Sequence, residues 1–252
     1  MLLRVEATKD CEYDIKYFHK LQGFIYSLLK ETPYSILHDK KMYKFFCFSN
    51  IFPLPKDYKV KEGEEKQLLI SSPDKVFIKI LAEKIKEKGE DREVIHIGEM
   101  EFLINKVKIL KPRLRKDSRL ISATPLIIRI PEKNYEKYGI PSRFRKRRYV
   151  YWRPSYSFEA FVKQLEENLI KKYNEFYRRE FKIDRIFEMF KYVKSTVNHV
   201  IIDGKEVRMV GSIWEFIFSY LTKEQKEILE FGVDAGFGER NSLGFGFMNV
   251  VR

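Results

Sequence analysis

Cysteine is nearly absent: Cys11 and Cys47 are the only two in 252 residues, and neither belongs to a CxxC pair. That excludes a disulfide framework and removes the usual zinc spacing. A reducing cytoplasm fits such usage. No set of candidate ligands has convincing metal spacing, so neither a metal nor another cofactor is expected. No apolar run approaches the ~20 residues of a membrane span. The opening Met1-Leu-Leu-Arg reads as the start of a strand, not as a signal peptide. Glutamine is scarce while Lys and Glu are abundant, a bias associated with hyperthermophiles.

What is present is positive charge. Lys and Arg number 49 against 36 Asp and Glu, a net of +13. A polyanionic partner follows, either nucleic acid or an anionic membrane surface. The excess is concentrated: residues 111–153 hold fourteen Lys/Arg against three acids, a net of +11. Within that segment Arg143-Phe-Arg-Lys-Arg-Arg-Tyr-Val-Tyr-Trp-Arg153 interleaves cations with aromatics. Arg143, Arg145, Lys146, Arg147 and Arg148 suit phosphates, and Tyr149, Tyr151 or Trp152 suit unpaired bases. Tyr151 and Trp152 cannot share one face of a strand, so at least one of the two is expected in the core. RNA is thereby favoured over a membrane.

The order of elements predicts an α+β chain of two tandem ferredoxin-like domains, each βαββαβ, over residues 1–118 and 119–252. The first half reads as strand 2–7, helix 14–30, aromatic strand 44–52, strand 67–71, a helix opened by Ser72-Pro73 as N-cap and first helical residue, and strand or hairpin 94–110. The charged stretch 111–122 reads as the boundary. The second half reads as strand 125–130, a basic arm 131–156, helix 157–180, strands 187–202 and 205–218 about an Asp203-Gly204 turn, and a last helix opened by the capping box Thr222-Lys-Glu-Gln225. A glycine loop then leads into strand 245–251.

That loop, Gly236-Phe-Gly-Glu-Arg-Asn-Ser-Leu-Gly-Phe-Gly246, holds four of the chain's twelve glycines. Glycine admits positive φ and close backbone approach, and successive N–H groups can cradle an anion. Gly236, Gly238, Arg240, Asn241, Ser242, Gly244 and Gly246 are therefore candidates to approach an RNA backbone or to shape a groove between the domains. On the first helix, Tyr17, Phe18, Leu21, Phe24, Ile25, Leu28 and Leu29 make one apolar arc. Tyr26 falls opposite it, with His19, Gln22, Gly23 and Lys30. His38 lies in a polar connection and can donate a proton near neutral pH. Lys44 opens the next strand. His96 and His199 fall in expected strands and read as structural.

Two families carry comparable glycine–aromatic segments. Residues 243–250 look like the aromatic strand signature of RNA-recognition motifs, but Leu243 stands where a basic residue is expected, and no helix and strand follow. The 236–246 loop resembles more closely the C-terminal glycine-rich loop of the CRISPR-associated RAMP proteins, in particular the endoribonucleases that cut CRISPR repeat transcripts. Residues 19–52 resemble the same family: a Leu-Gln-Gly-Phe-Ile-Tyr helix, a histidine in the next loop, and a lysine opening an aromatic strand. The resemblance implies a metal-independent site of Tyr26, His38 and Lys44, with His19 as a rival for the second catalytic group. It implies precursor CRISPR RNA as substrate, attack by the 2′-hydroxyl, and 2′,3′-cyclic phosphate and 5′-hydroxyl ends. Effector-complex subunits and a second copy of the chain are further partners that it allows. The alternatives are a non-catalytic RAMP subunit that binds guide RNA, or an RNA-binding module unrelated to CRISPR.

Overall fold

The computed structural model describes all residues except Ile15, Lys16, Lys40, Lys41, Lys116, Arg145, Asp203 and Arg252. The chain sorts into two compact units. The first comprises Met1–Lys111, Val200–Glu206 and Ser242–Gly244; the second comprises Pro112–His199, Val207–Asn241 and Phe245–Arg252.

The first unit begins with β1 (Leu2–Ala7), in which Leu3, Val5 and Ala7 point into the core at period two. A short ribbon joins β2 (Cys11–Glu12) to β4 (Lys59–Val60). Helix α1 (Phe18–Leu28) buries the expected apolar arc. Strands β3 (Cys47–Phe48), β5 (Glu65–Ser71), β6 (Ile95–Ile97) and β7 (Met100–Lys108) complete the sheet, and α2 (Lys75–Glu90) precedes the β6–β7 hairpin. The order β3-β5-β1-β7, extended at one edge by β6, is that of a ferredoxin-like βαββαβ unit. Leu21, Ile25, Phe77, Leu81 and Ile85 bring both helices into one core cluster with the strands.

Two expectations here are corrected. The aromatic strand over 44–52 shrinks to Cys47–Phe48 plus a lone bridge from Phe52 to Gln67. Phe45 sits at φ 49°, which interrupts extended backbone. The cap of α2 is Asp74, not Ser72: its Oδ1 accepts from the N–H of Val76 (2.9 Å) and Phe77 (3.1 Å). A carboxylate there also meets the positive end of the helix dipole. Ser72 instead donates to the Phe45 carbonyl at 2.6 Å.

The second sheet has the order β11-β12-β8-β13, again ferredoxin-like. Its strands are β8 (Arg119–Ser122), β11 (Met189–Ile202), β12 (Lys205–Ile217) and β13 (Met248–Val251). Strand β8, read from sequence as the tail of a boundary stretch, is central and pairs with both β12 and β13. The expected strand 125–130 is mostly irregular; only its end enters β9 (Arg129–Pro131), which pairs with β10 (Tyr149–Tyr151) inside the basic arm. Helix α3 (Phe158–Tyr177) buries Phe161, Leu165, Leu169 and Tyr173. Helix α4 (Lys223–Ala235) starts at the expected capping box, with Thr222 and Gln225 each satisfying the other's backbone N–H. Asp203 of the expected Asp-Gly turn lies outside the described residues.

Candidate active site

Three segments of the first unit bring Tyr26, His38 and Lys44 together. Helix α1 holds Tyr26 away from its buried arc, one turn after Gln22. A single 3-10 turn, Ser35–Leu37, is pinned by buried Leu37 and ends on His38. The His38 ring meets the Tyr26 ring edge-on, with centroids 5.3 Å apart. The Lys44 ammonium lies 5.0 Å from the centre of the Tyr26 ring and donates to the His38 carbonyl at 2.9 Å.

His38 is the open member of the group, with 71% of its side chain exposed. Its Nδ1 lies 2.8 Å from Asp39 Oδ1. A carboxylate only accepts, so Nδ1 carries the proton and Nε2 is left to face a ligand. Burial pushes the Tyr26 phenol well above the usual tyrosine range, offset in part by hydrogen bonding to Ser242 and Gln22. The group is therefore a neutral hydroxyl at physiological pH. Burial also lowers the Lys44 ammonium, with Asp39 opposing the shift. Gln22 ties the polar side of α1 to the glycine loop: its Nε2 donates to the Ser242 carbonyl at 2.7 Å and lies 3.4 Å from the Tyr26 hydroxyl. Sequence alone assigns no role to Gln22 or Asp39. Gln22 has one legible signal, its i,i+4 spacing to Tyr26 on one helix face.

No ring contact or hydrogen bond joins His19 or His96 to this group among the described residues. His19 is part-buried, and its Nδ1 meets no hydrogen-bond partner among the described residues. His96 and His199 lie in β6 and β11 as expected, but their side chains face solvent and build no core. His96 sits 3.7 Å from the Glu101 carboxylate.

The glycine loop differs from expectation in a specific way. All four glycines have positive φ, yet all four are buried. The N–H groups of Gly236 and Gly246 already donate to the carbonyls of Gly232 and Pro125. A Cβ on Gly238 would sit 2.7 Å from the Ile127 carbonyl oxygen, and one on Gly244 would overlap the Phe48 ring. These glycines allow close packing, and the N–H groups of Gly236 and Gly246 are taken by other parts of the chain. Asn241 is likewise occupied: its Nδ2 donates to the carbonyls of Phe237 (3.0 Å) and Phe245 (2.9 Å).

Nothing in the sequence marks the residue that organises this loop. Lys172, in the C-terminal half of α3, is 2% exposed. Its ammonium donates to the Gly236 carbonyl, to the Gly238 carbonyl at 3.1 Å and to Asn241 Oδ1 at 3.0 Å. All three lysine N–H donors are matched. Of the loop's candidate RNA contacts, Arg240 is exposed and Ser242 half-buried.

In the basic arm, Arg143, Lys146, Arg147 and Arg148 are exposed, while Arg145 lies outside the described residues. Arg143 and Arg147 flank the Phe144 ring, at 5.0 and 5.7 Å from its centre. Trp152 is removed from the candidates for base stacking. It is 2% exposed, packs with tilted rings against Phe161 and Trp214, and donates Nε1–H to the Ser157 carbonyl at 2.9 Å.

Known proteins resemble this chain in sequence and in fold. The family model described as CRISPR associated protein Cas6, C-terminal, matches residues 110–250. The chain is 32% identical to the CRISPR-associated endoribonuclease Cas6 2 of Methanocaldococcus jannaschii, over the full length of both. It is 28% identical to the CRISPR-associated endoribonuclease Cas6 of Haloferax mediterranei, covering all of this chain and 93% of that protein. Among solved structures, one described as CRISPR associated protein Cas6 superposes with a TM-score of 0.72 at 23% identity, covering 100% of this chain and 98% of the other. Another, described as an RAMP protein binding different RNA substrates, gives 0.73 at 22% identity with the same coverage. These two bear on the fold alone. The family match and the full-length relative at 32% identity decide the family: the chain belongs to the Cas6 family of CRISPR-associated endoribonucleases.

Proposed function

We propose that this endoribonuclease binds CRISPR repeat RNA and cuts the precursor transcript by attack of a 2′-hydroxyl on the adjacent phosphate, without a metal ion. The observation that carries the reading is the convergence of Tyr26, His38 and Lys44 within about one ring diameter. RNA brings its own nucleophile, so the protein has to manage protons and charge. His38, held by Asp39 through Nδ1, acts as the imidazolium and gives its Nε2 proton to the departing 5′-oxygen as the P–O bond breaks. Tyr26, kept neutral by burial, orients the 2′-hydroxyl through its own hydroxyl and does not act as a phenolate base, so the 2′-hydroxyl passes its proton to a non-bridging oxygen of the attacked phosphate as the new O–P bond forms. Lys44 offsets the charge that builds on the phosphorane oxygens. The exposed cations of the arm, Arg143, Lys146, Arg147 and Arg148, together with Arg240, neutralise the RNA backbone.

The test is product-end analysis after incubation with repeat RNA in EDTA. Cleavage leaving 5′-hydroxyl and 2′,3′-cyclic phosphate ends is expected, and a single 2′-deoxy substitution at the cut site should abolish it. Cleavage that requires a divalent ion, or that leaves a 5′-phosphate, would overturn the mechanism. Tight binding with no cleavage of any repeat would favour a guide-RNA-binding subunit instead.

A pH profile tests Lys44. Its ammonium is lowered by burial, so on raising the pH it loses its proton before an ordinary lysine does. Beyond any fall set by the general acid, the single-turnover rate is expected to show a further alkaline fall at a pH below the usual lysine range. Lys44→Arg should move that limb upward, because a guanidinium stays charged. An unchanged alkaline limb in the arginine variant would remove Lys44 from the charge-stabilising role.

A further inference from the structure

The second unit holds an open pocket of ≈ 330 Å³ built from the basic arm and from Val207 and Arg208 of β12. Four guanidinium groups line it: Arg147, Arg148, Arg153 and Arg208. No lining residue among those described is acidic. Four cations gathered round one hollow repel one another unless an anion sits among them.

The same hollow is walled by rings. Alternation along β10 turns Val150 into the core, at 6% exposure, and leaves Tyr149 and Tyr151 on the opposite side. Their ring centres are 5.6 Å apart and 75° inclined. Tyr149 is braced from outside the hollow by the Arg129 guanidinium, 4.6 Å from its ring, and Arg129 is itself paired with Glu239. Burial pushes the Tyr151 phenol up to about 12, so it faces the hollow as a neutral ring. Tyr156 and Phe144 add two further aromatic walls.

Planar rings beside bidentate cations match a ligand that has both a flat π-face and a phosphate. The volume lies at the small end of the roughly 300–1,000 Å³ typical of small-molecule sites. That is room for one nucleotide, and a base stacked within a duplex has no free face to offer the rings. An acidic peptide would satisfy the arginines yet leave the rings without a planar partner.

We infer that this pocket takes a single unpaired nucleotide of the bound RNA, its base against Tyr149 and Tyr151 and its phosphate on Arg148 and Arg208. The inference rests on the reading that the ligand is RNA, and it adds a discrete subsite that neither the charge pattern nor the family membership specifies.

The experiment is an abasic scan. Full-length protein binds, by fluorescence anisotropy, a repeat RNA made uncleavable by one 2′-deoxy residue at the cut site, with each base removed in turn. In the wild type, removal at one position should weaken binding by about 5- to 160-fold, the range of a lost base–aromatic stack. In Tyr151→Ala the same removal should have no further effect, and Tyr151→Phe should restore the sensitivity. Replacing the exposed Arg148 and Arg208 by Ala should flatten the salt dependence by about 0.7 log units of slope per lost contact. This pair carries the test if Tyr151→Ala fails to fold. Equal losses on base removal in wild type and Tyr151→Ala, or an unchanged salt slope in the arginine pair, would overturn the pocket. So would a poly-glutamate peptide that binds wild type but not the arginine pair while the scan shows no sensitive position; that result would assign the hollow to an acidic protein partner. Because binding of uncleavable RNA is measured, failure of the subsite with cleavage intact leaves the catalytic reading standing. A sensitive position without any cleavage sinks only the catalytic reading.

Discussion

His38→Ala is expected to slow single-turnover cleavage of repeat RNA by about 10²–10⁴-fold, the usual range for one general acid–base group. Affinity for uncleavable RNA should change little, because the proton moves only in the transition state. The geometry sharpens this expectation. The His38 ring is the exposed member of the trio, its Nδ1 is taken by Asp39, and only Nε2 remains to meet the leaving oxygen. Tyr26→Phe should cost less than His38→Ala, since a phenol that burial keeps neutral can orient a hydroxyl but cannot strip its proton. His19→Ala should retain the rate. Full activity in His38→Ala combined with loss in His19→Ala would move the acid onto the helix and break the carry-over from the family.

Gly246→Ala is expected to destabilise the chain strongly without touching any reacting group. Its backbone sits at φ +75°, and an added Cβ would overlap the Phe237 carbonyl oxygen and lie 2.8 Å from Asn241 Nδ2. The first neighbour is backbone and cannot step aside. Left-handed strain and a backbone clash together should cost about 3 kcal/mol or more, a fall in melting temperature of roughly 6–12 °C at about 2–4 °C per kcal/mol. Gly139 is the control: it has φ +61°, but a Cβ added there would meet nothing within 4 Å. Gly139→Ala should therefore carry the conformational penalty alone, about 1–2 kcal/mol. Equal losses at the two positions, read by thermal denaturation, would mean that the clash is relieved and that only backbone conformation matters.

The two ferredoxin-like sheets were legible where local chemistry and tertiary role agree. Leu2–Ala7 alternates cleanly, and Thr222 and Gln225 close a capping box that needs nothing beyond four residues. Legibility failed where tertiary structure overrides local pattern. Arg119–Ser122 is short, begins with a charge and adjoins a basic run, so nothing in it announces a central strand; pairing on both sides supplies what four residues lack. At the site, Tyr26 stood out because it leaves the apolar arc of its helix. His38 and Lys44 emerged only through resemblance, since a lone loop histidine and one lysine among many carry no periodicity. Lys172 was invisible for a different reason. A lysine inside an amphipathic helix reads as solvent-facing, and only the folded chain reveals the carbonyl oxygens converging on it.

That convergence makes the glycine loop resemble an ionophore whose cation is covalently attached. A free ion held by the same oxygens would exchange with the medium and respond to its concentration. Lys172 does neither: it is shielded from solvent, and screening by salt acts far less on buried charge than on exposed charge. Ionic strengths high enough to screen the exposed arginines should thus leave the loop's shape unaltered, so a return to low salt needs no refolding of this segment.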